Sequence, residues 1–263
     1  MSHFTSFQPF AIEPLSDAER ASHYPYQAPE TAFVIDAGQC RPLGEADYEA
    51  LSDRTALLSV GSNRAPAQLL RKFGNEAVLY VTPARLHDCD IIHSACFSYY
   101  GAVPCSAYPV KGTSIMLNAV WLTPAQLAIM HDTEAVGTAY DFCGWHKDVV
   151  KLDAPIQPQR IYGYATRLGT FCDEAHHPFA LSALSAKGRR LTALSQLQAR
   201  QLLYQRLPAE LQRANLDAFM SQLLADKIFR REVNQHLAMS AMPIPDGPWD
   251  ILPATTDKAD QFL

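Results

Sequence analysis

The chain has 263 residues, with 22 Lys or Arg, 27 Asp or Glu, and 48% hydrophobic residues. This is the composition of an ordinary globular protein with one domain or two small ones. Its formal charge of -5 lacks the basic character that nucleic-acid phosphates require. No apolar run approaches the roughly 18 residues of a membrane-spanning helix. We therefore expect a cytoplasmic protein with neither a nucleic acid nor a membrane as its partner.

The six cysteines are too dilute for a disulfide scaffold, and no two of them are spaced C-x-x-C. The densest group of metal-binding residue types comprises His87, Cys89, His93 and Cys96. Its spacing matches no common zinc pattern, and its segment alternates like a strand. We assign reduced thiols, no metal ion and no cofactor.

Changes in residue composition and apolar periodicity divide the chain into four segments. Five prolines and little sustained periodicity predict an extended N-terminal arm over residues 1–50. Residues 51–169 contain strand-like pieces and short helical patterns, which predict an α+β core. Residues 170–243 have apolar spacings of three and four, which predict amphipathic helices packed on that core. Residues 244–263, rich in Pro and Asp, are expected to form a tail.

A strand, a turn and a helix are predicted at the start of the core. The apolar run that includes Leu57 and Leu58 is typical of a strand, and it stops at Gly61-Ser62-Asn63. Pro66 suits the first turn of a following helix, which Gly74 would end. Such a turn presents backbone N–H groups at a helix N-terminus, where a carboxylate or a developing oxyanion can bind.

The remainder of the core alternates strand-like pieces with one helix. The pieces before the helix are AVLYVTPARL, DIIHSACFSYY, VPCSAYPV and TSIMLNAVWL. The helix has Thr123 as its cap and Pro124 at its first position, and it ends near Glu134. Two further pieces, AYDFCGWHKDVVKL and RIYGYATRL, complete a mainly antiparallel sheet of about six strands.

Helical patterns dominate after Gly169. They lie in FALSALSAKG, in LTALSQLQARQLLYQRL, and in a long apolar pattern from Leu211 to Leu237. An amphipathic stripe needs a surface to cover it, and the core sheet is the nearest one. We expect these helices to dock on the core and to restrict access to its pocket.

The sequence lacks the common nucleotide and hydrolase motifs. It contains no G-x-G-x-x-G, no G-x-x-x-x-G-K-[ST] and no G-x-S-x-G, because the glycine after Ser62 is missing in V-G-S-N-R. Ser62 is therefore not assigned as a nucleophile.

Three features follow the turn in a fixed order. They are SYYGAVPCSAYPVKGTSIMLNAVWL, TPAQLAIMHDTEAVGTAYDF and RIYGYATRLG. Together with the turn they resemble the gamma-glutamylcyclotransferase-like superfamily, from about Ala56 to Gly169. The resemblance implies an α+β fold with a mainly antiparallel, barrel-like sheet.

The resemblance also assigns site residues. The substrate loop of the family falls on Val60, Gly61, Ser62 and Asn63. Its catalytic carboxylate falls on Glu134, and Tyr140 matches the aromatic residue that follows. The sequence departs from the family at Val60, where tyrosine is usual, and at Ala135, where glycine is usual. These departures leave the substrate open.

The implied chemistry is release of an amine from a gamma-glutamyl or related amide, a lyase or acyltransferase type of reaction. The substrate's own α-amino group attacks its side-chain carbonyl and closes a lactam, so the protein needs no nucleophile. Glu134 would act as general acid and base, and the turn would supply N–H donors to the carbonyl oxygen.

Two alternatives remain open from the residues. A non-catalytic module could use the same pocket to bind a small acidic ligand, or could serve as an interaction protein. A cysteine hydrolase using Cys96 or Cys105 with His93 has no local signature and ranks last. We interpret Arg64 and Lys72 as surface residues, although either could neutralise a substrate carboxylate.

Overall fold

The computed structural model describes residues 7–253. The strands are β1 (Phe10–Ala11), β2 (Phe33–Asp36), β3 (Gln39–Pro42), β4 (Thr55–Ser59), β5 (Leu79–His93), β6 (Cys105–Leu122), β7 (Tyr140–Trp145), β8 (Val150–Leu152), β9 (Tyr162–Thr166), β10 (Ala180–Leu181), β11 (Ala186–Lys187), β12 (Ala193–Leu194) and β13 (Trp249–Ile251). The α-helices are α1 (Asp17–Ser22), α2 (Pro66–Phe73), α3 (Pro124–Thr133), α4 (Gln196–Gln205), α5 (Leu216–Ala225) and α6 (Lys227–Ala238). Short 3-10 helices lie at Glu45–Leu51 and Ser62–Arg64.

One large sheet organises the fold, and its main path runs β1-β3-β2-β5-β6-β4-β9-β7-β13. Neighbours on this path are antiparallel except for β4 and β9, which are parallel. The predicted α+β class and mainly antiparallel sheet are confirmed. The predicted barrel-like shape is wrong. Among the described residues no pairing joins the end strands β1 and β13, and closure requires such a pairing.

Two long strands, β5 and β6, stand where the sequence predicts four shorter ones. β5 has 15 residues and β6 has 18. The interruption between the predicted pieces is a bulge at Asp88, whose φ of 54° shifts the register between His87 and Cys89. The backbone N–H of Gly112 donates to Asp88 Oδ1 at 2.7 Å. A bulge bends a ladder without ending it, so turn-like residues here do not separate two strands.

The segments outside residues 51–169 also contribute to the sheet. The N-terminal segment supplies β1, β2 and β3, and Phe33 and Ile35 of β2 are fully buried. The piece FALSALSAKG, predicted as helical, contains β10 and β11 instead. β13, within the predicted tail, pairs with β7. Residues 1–6 and 254–263 lie outside the described part of the chain.

The C-terminal helices share a hydrophobic cluster with the loop that joins β5 to β6. Phe219 of α5 and Val233 of α6 are fully buried in this cluster, together with Phe97 of the loop. The side chain of Asn234 accepts from the Phe97 N–H at 2.8 Å and donates to the Phe97 carbonyl at 2.9 Å. These contacts hold α6 beside the end of the sheet where the candidate site lies. Within residues 7–253, no helix has the length and apolarity needed to span a bilayer.

Candidate active site

The predicted turn after β4 is present. β4 ends at Ser59, a 3-10 turn occupies Ser62–Arg64, and α2 begins at Pro66. Pro66 fits because the first turn of a helix needs no N–H from it. The backbone N–H groups of Gly61, Ser62 and Asn63 donate to no other described residue. They remain available to a ligand.

Close packing explains why glycine stands at the start of this turn. A Cβ atom on Gly61 would lie 2.5 Å from the Tyr24 hydroxyl and 3.0 Å from Cys105 Sγ. Both distances are shorter than ordinary carbon contacts. A larger residue would therefore push the turn away from the wall formed by Tyr24 and Cys105.

Glu134 stands at the C-terminal end of α3 and faces this turn. Its Oε1 atom accepts from Asn63 Nδ2 at 3.1 Å and forms an ion pair with Lys72. The Lys72 side chain is 2% exposed and the Glu134 side chain is 16% exposed, so the cation is the more enclosed partner. Lys72 Nζ also lies 3.5 Å from Met130 Sδ. The loop, α2 and α3 therefore meet at one carboxylate oxygen.

The two oxygens of this carboxylate have different surroundings. Burial lowers the pKa of the Lys72 ammonium, and the charge of Glu134 opposes that change. Lys72 and Asn63 both bind Oε1, whereas Oε2 accepts no hydrogen bond from any residue in the range 7–253. One oxygen is fixed and the other is free to accept a proton.

Tyrosine hydroxyls form the opposite wall. Tyr140 donates to the Cys105 carbonyl at 3.4 Å, and the Tyr164 hydroxyl lies 2.9 Å from His131 Nδ1. The Tyr24 hydroxyl lies 3.2 Å from Cys105 Sγ. Burial raises the pKa values of Tyr24, Tyr140 and Tyr164 well above the usual one. These groups are neutral at physiological pH.

A cavity of about 740 Å³ opens beside Glu134. Core elements line one side of it with Ser62, Lys72, Glu134 and Tyr140. The other side includes Arg231, Asn234 and Gln235 of α6 and Pro243 and Ile244 beyond it. The volume suits a small-molecule ligand. The C-terminal helical region therefore forms part of the cavity wall.

A second cavity, of about 30 Å³, lies at the end of β4. Val60, Gly61, Ser62 and Asn63 line it. Tyr24, Ser62, Glu134 and Tyr140 line both cavities. All six residues that the sequence assigned to the site thus border at least one of two adjoining cavities.

The sequence interpretation missed Lys72. The prediction of a surface side chain is wrong, because Lys72 is enclosed against Glu134. The missed signal is its spacing in α2, where Lys72 follows the fully buried Leu69 by three residues and therefore shares its helix face. Arg64 is also not a free surface cation, since its Nε donates to Asn118 Oδ1 at 2.8 Å.

The residues of the cysteine-hydrolase alternative lack activated chemistry. Burial raises the pKa values of Cys96 and Cys105 to about 12. Burial lowers the pKa of His93 to about 4, and its Nε2 lies 3.0 Å from the Leu194 carbonyl oxygen. These thiols stay protonated, and the imidazole is engaged with the backbone.

No protein-family model, curated protein or solved structure matches this chain. Its class is therefore defined by the fold and the site. It is an α+β protein with a mainly antiparallel sheet, whose open cavity contains one carboxylate with a free oxygen.

Proposed function

We propose that this protein is a cyclotransferase-like enzyme that releases an amine from a small gamma-glutamyl or related amide. The proposal rests on one observation, that Glu134 and the turn at Gly61–Asn63 line the same cavity. The Oε2 atom of Glu134 accepts no hydrogen bond from a described residue, and the N–H groups of the turn donate to none. The cavity therefore contains a proton acceptor and N–H donors, which are the two components that lactam closure needs.

The reaction proceeds without a covalent enzyme intermediate. Glu134 Oε2 takes a proton from the substrate's α-ammonium group, and the resulting amine attacks the side-chain carbonyl carbon of the same molecule. The N–H groups of Gly61, Ser62 and Asn63 stabilise the negative charge that develops on the carbonyl oxygen. Glu134 then returns its proton to the leaving amine as the carbon–nitrogen bond breaks. The nitrogen of the new ring gives its second proton to Glu134, which passes it to the departing amine, so the products are a neutral lactam and an ammonium ion.

Lys72 has two opposing effects on this chemistry. Its ammonium fixes Oε1 and so orients Oε2 for proton transfer, but it also forms a fixed ion pair that can hold a polar ligand without reacting with it. The second effect favours a different candidate function, a module that binds a small ligand in the same cavity without turning it over.

The test measures free amine released from a panel of gamma-glutamyl amides. Glu134→Gln alone would leave the Lys72 ammonium enclosed without a counter-charge, so the variant is made in a Lys72→Met background. Relative to Lys72→Met, the double variant is expected to lose about 10²-fold or more of its turnover while keeping its melting temperature. Equal turnover in the two variants would contradict the proposal. Absence of turnover in the unmodified protein across the panel would favour the binding module.

A further inference from the structure

The small cavity at the end of β4 contains hydrogen-bond acceptors that nothing in the described structure satisfies. Ser59 Oγ and Asn63 Oδ1 are both buried and have no partner among the described residues. Ser59 is 3% exposed, and both side chains line the 30 Å³ cavity. Unpaired buried oxygens of this kind cost free energy, so their presence in a cavity calls for an occupant.

Most of the other polar side chains around this cavity are already hydrogen-bonded. Asn63 Nδ2 donates to Glu134 Oε1, which fixes the amide with its oxygen toward the unpaired side. The hydroxyls of Tyr24, Tyr140 and Tyr164 contact Cys105 Sγ, the Cys105 carbonyl and His131 respectively. The side-chain atoms of this cavity that lack a partner among the described residues are therefore Ser59 Oγ, Asn63 Oδ1, Glu134 Oε2 and Ser62 Oγ, of which Ser59 Oγ and Asn63 Oδ1 are fully buried.

An ammonium head has three N–H donors and is about the size of one water molecule, and a cavity of roughly 15 Å³ or more holds one water. We propose that this cavity is the subsite for the primary amino group of the substrate, with Ser59 as a residue that selects and positions it. The rest of the substrate occupies the large cavity, which Tyr24, Ser62, Glu134 and Tyr140 also line.

The subsite rests on the proposed function and gives it a defined geometry. The ammonium group donates to Ser59 Oγ, Asn63 Oδ1 and Glu134 Oε2. Transfer of the third proton to Oε2 converts the carboxylate to a carboxylic acid and the ammonium to a neutral amine. The amine keeps its two hydrogen bonds to Ser59 and Asn63, and its lone pair is free to attack the carbonyl carbon. A substrate with an N-methyl group loses one donor and clashes with the cavity wall.

Ser59→Ala removes one acceptor and leaves the backbone unchanged, and Ser94→Ala is its matched control. Ser94 Oγ is also buried without a described partner, but Ser94 lines neither cavity. The ratio of kcat/KM for a primary-amine substrate to that for its N-methyl analogue is expected to fall about ten-fold in Ser59→Ala. The ratio should stay unchanged in Ser94→Ala. An unchanged ratio in Ser59→Ala would overturn the subsite even if amide turnover is present.

A second measurement does not depend on turnover. Methylammonium and tetramethylammonium carry the same charge, but only the first has N–H donors. Methylammonium should shift the backbone amide NMR signals of Gly61, Ser62 and Asn63, and the shift should be lost in Ser59→Ala. Selective shifts without amide turnover would support the subsite while the proposed reaction fails. Equal shifts with both cations would show attraction by charge alone, and no shift with either would show a cavity that holds water only. Either result would overturn the proposal.

Discussion

Two buried ion pairs of this protein contain the same kinds of charge but differ in what they leave free. Asp90 is fully buried, and Arg189 donates to both of its carboxylate oxygens at 2.8 Å. The N–H of Ile91 adds a third bond at 2.8 Å. In the other pair, Lys72 and Asn63 bind one oxygen of Glu134 and leave the second open to a cavity.

The comparison separates a structural carboxylate from a chemical one. A carboxylate whose acceptor sites are filled by protein donors cannot take a proton without breaking those bonds. A carboxylate with one fixed and one free oxygen has an orientation and retains its capacity to react. We therefore expect changes at the first pair to alter stability and changes at the second to alter chemistry.

The largest effect is expected at the structural pair. Asp90→Ala leaves the guanidinium of Arg189 enclosed without its carboxylate, which should lower the free energy of unfolding by about 3 to 5 kcal/mol. The measurement is chemical denaturation. The double variant Asp90→Ala/Arg189→Met should recover most of the loss, because no unpaired charge remains. A loss below about 1 kcal/mol in the single variant would contradict the structural role.

A pH effect on stability is expected at His93, outside both pairs. The folded protein holds the pKa of His93 at about 4, because of burial, whereas an unfolded histidine titrates near 6.5. Between these two pH values the unfolded chain binds a proton that the folded protein does not. The contribution of His93 to the free energy of unfolding is therefore fully present above pH 6.5 and is lost as the pH drops toward 4. The loss should be roughly 3 kcal/mol. Denaturation curves of His93→Gln at several pH values should lack this pH-dependent loss. The same pH dependence of the unfolding free energy in His93→Gln and in the unmodified protein would contradict the prediction.

A change in chemistry is expected at Lys72. In Lys72→Met the Oε1 atom of Glu134 loses the ammonium that fixes it, so Oε2 is less well oriented toward the substrate and turnover should fall about ten-fold. The measurement is kcat for amine release. Lys151→Met, at an exposed position of β8, is the control and should keep the turnover of the unmodified protein. Equal turnover in Lys72→Met and Lys151→Met would contradict an orienting role for Lys72.

The smallest effect is expected where α6 is held to the core. Asn234→Ala removes both hydrogen bonds to Phe97 and should cost about 1 to 3 kcal/mol of unfolding free energy. Gln235→Ala changes the exposed neighbour, which also lines the cavity, and should cost less than about 0.5 kcal/mol. Equal melting temperatures for the two variants would show that the apolar contacts alone hold α6.

The parts of the fold that the sequence predicted well depend on local chemistry. The turn at Gly61–Asn63, the helix from Pro66 to Phe73 and the capped helix from Thr123 are specified by proline, glycine and threonine at fixed positions. The open edges of the sheet and the continuity of β5 across Asp88 depend on long-range pairing, which local sequence pattern does not encode.

The same limit applies to the site. Glu134 and the turn were found through a family resemblance, and the structure puts them in contact through Asn63. Lys72 was missed because a lysine on an amphipathic helix is usually solvated, and only the packing of α2 against α3 encloses it. The unpaired Ser59 hydroxyl has no sequence signal, since serine at the end of a strand is common.

The most direct test compares turnover per folded molecule after each carboxylate is neutralised together with its cation. The variants are Glu134→Gln/Lys72→Met and Asp90→Asn/Arg189→Met, assayed for amine release with a substrate that the unmodified protein turns over. We predict that the first loses about 10²-fold or more of its activity, while the second keeps its activity within about a factor of two. Similar losses in both variants, or full activity in the first, would contradict the assignment of Glu134 as the reacting carboxylate.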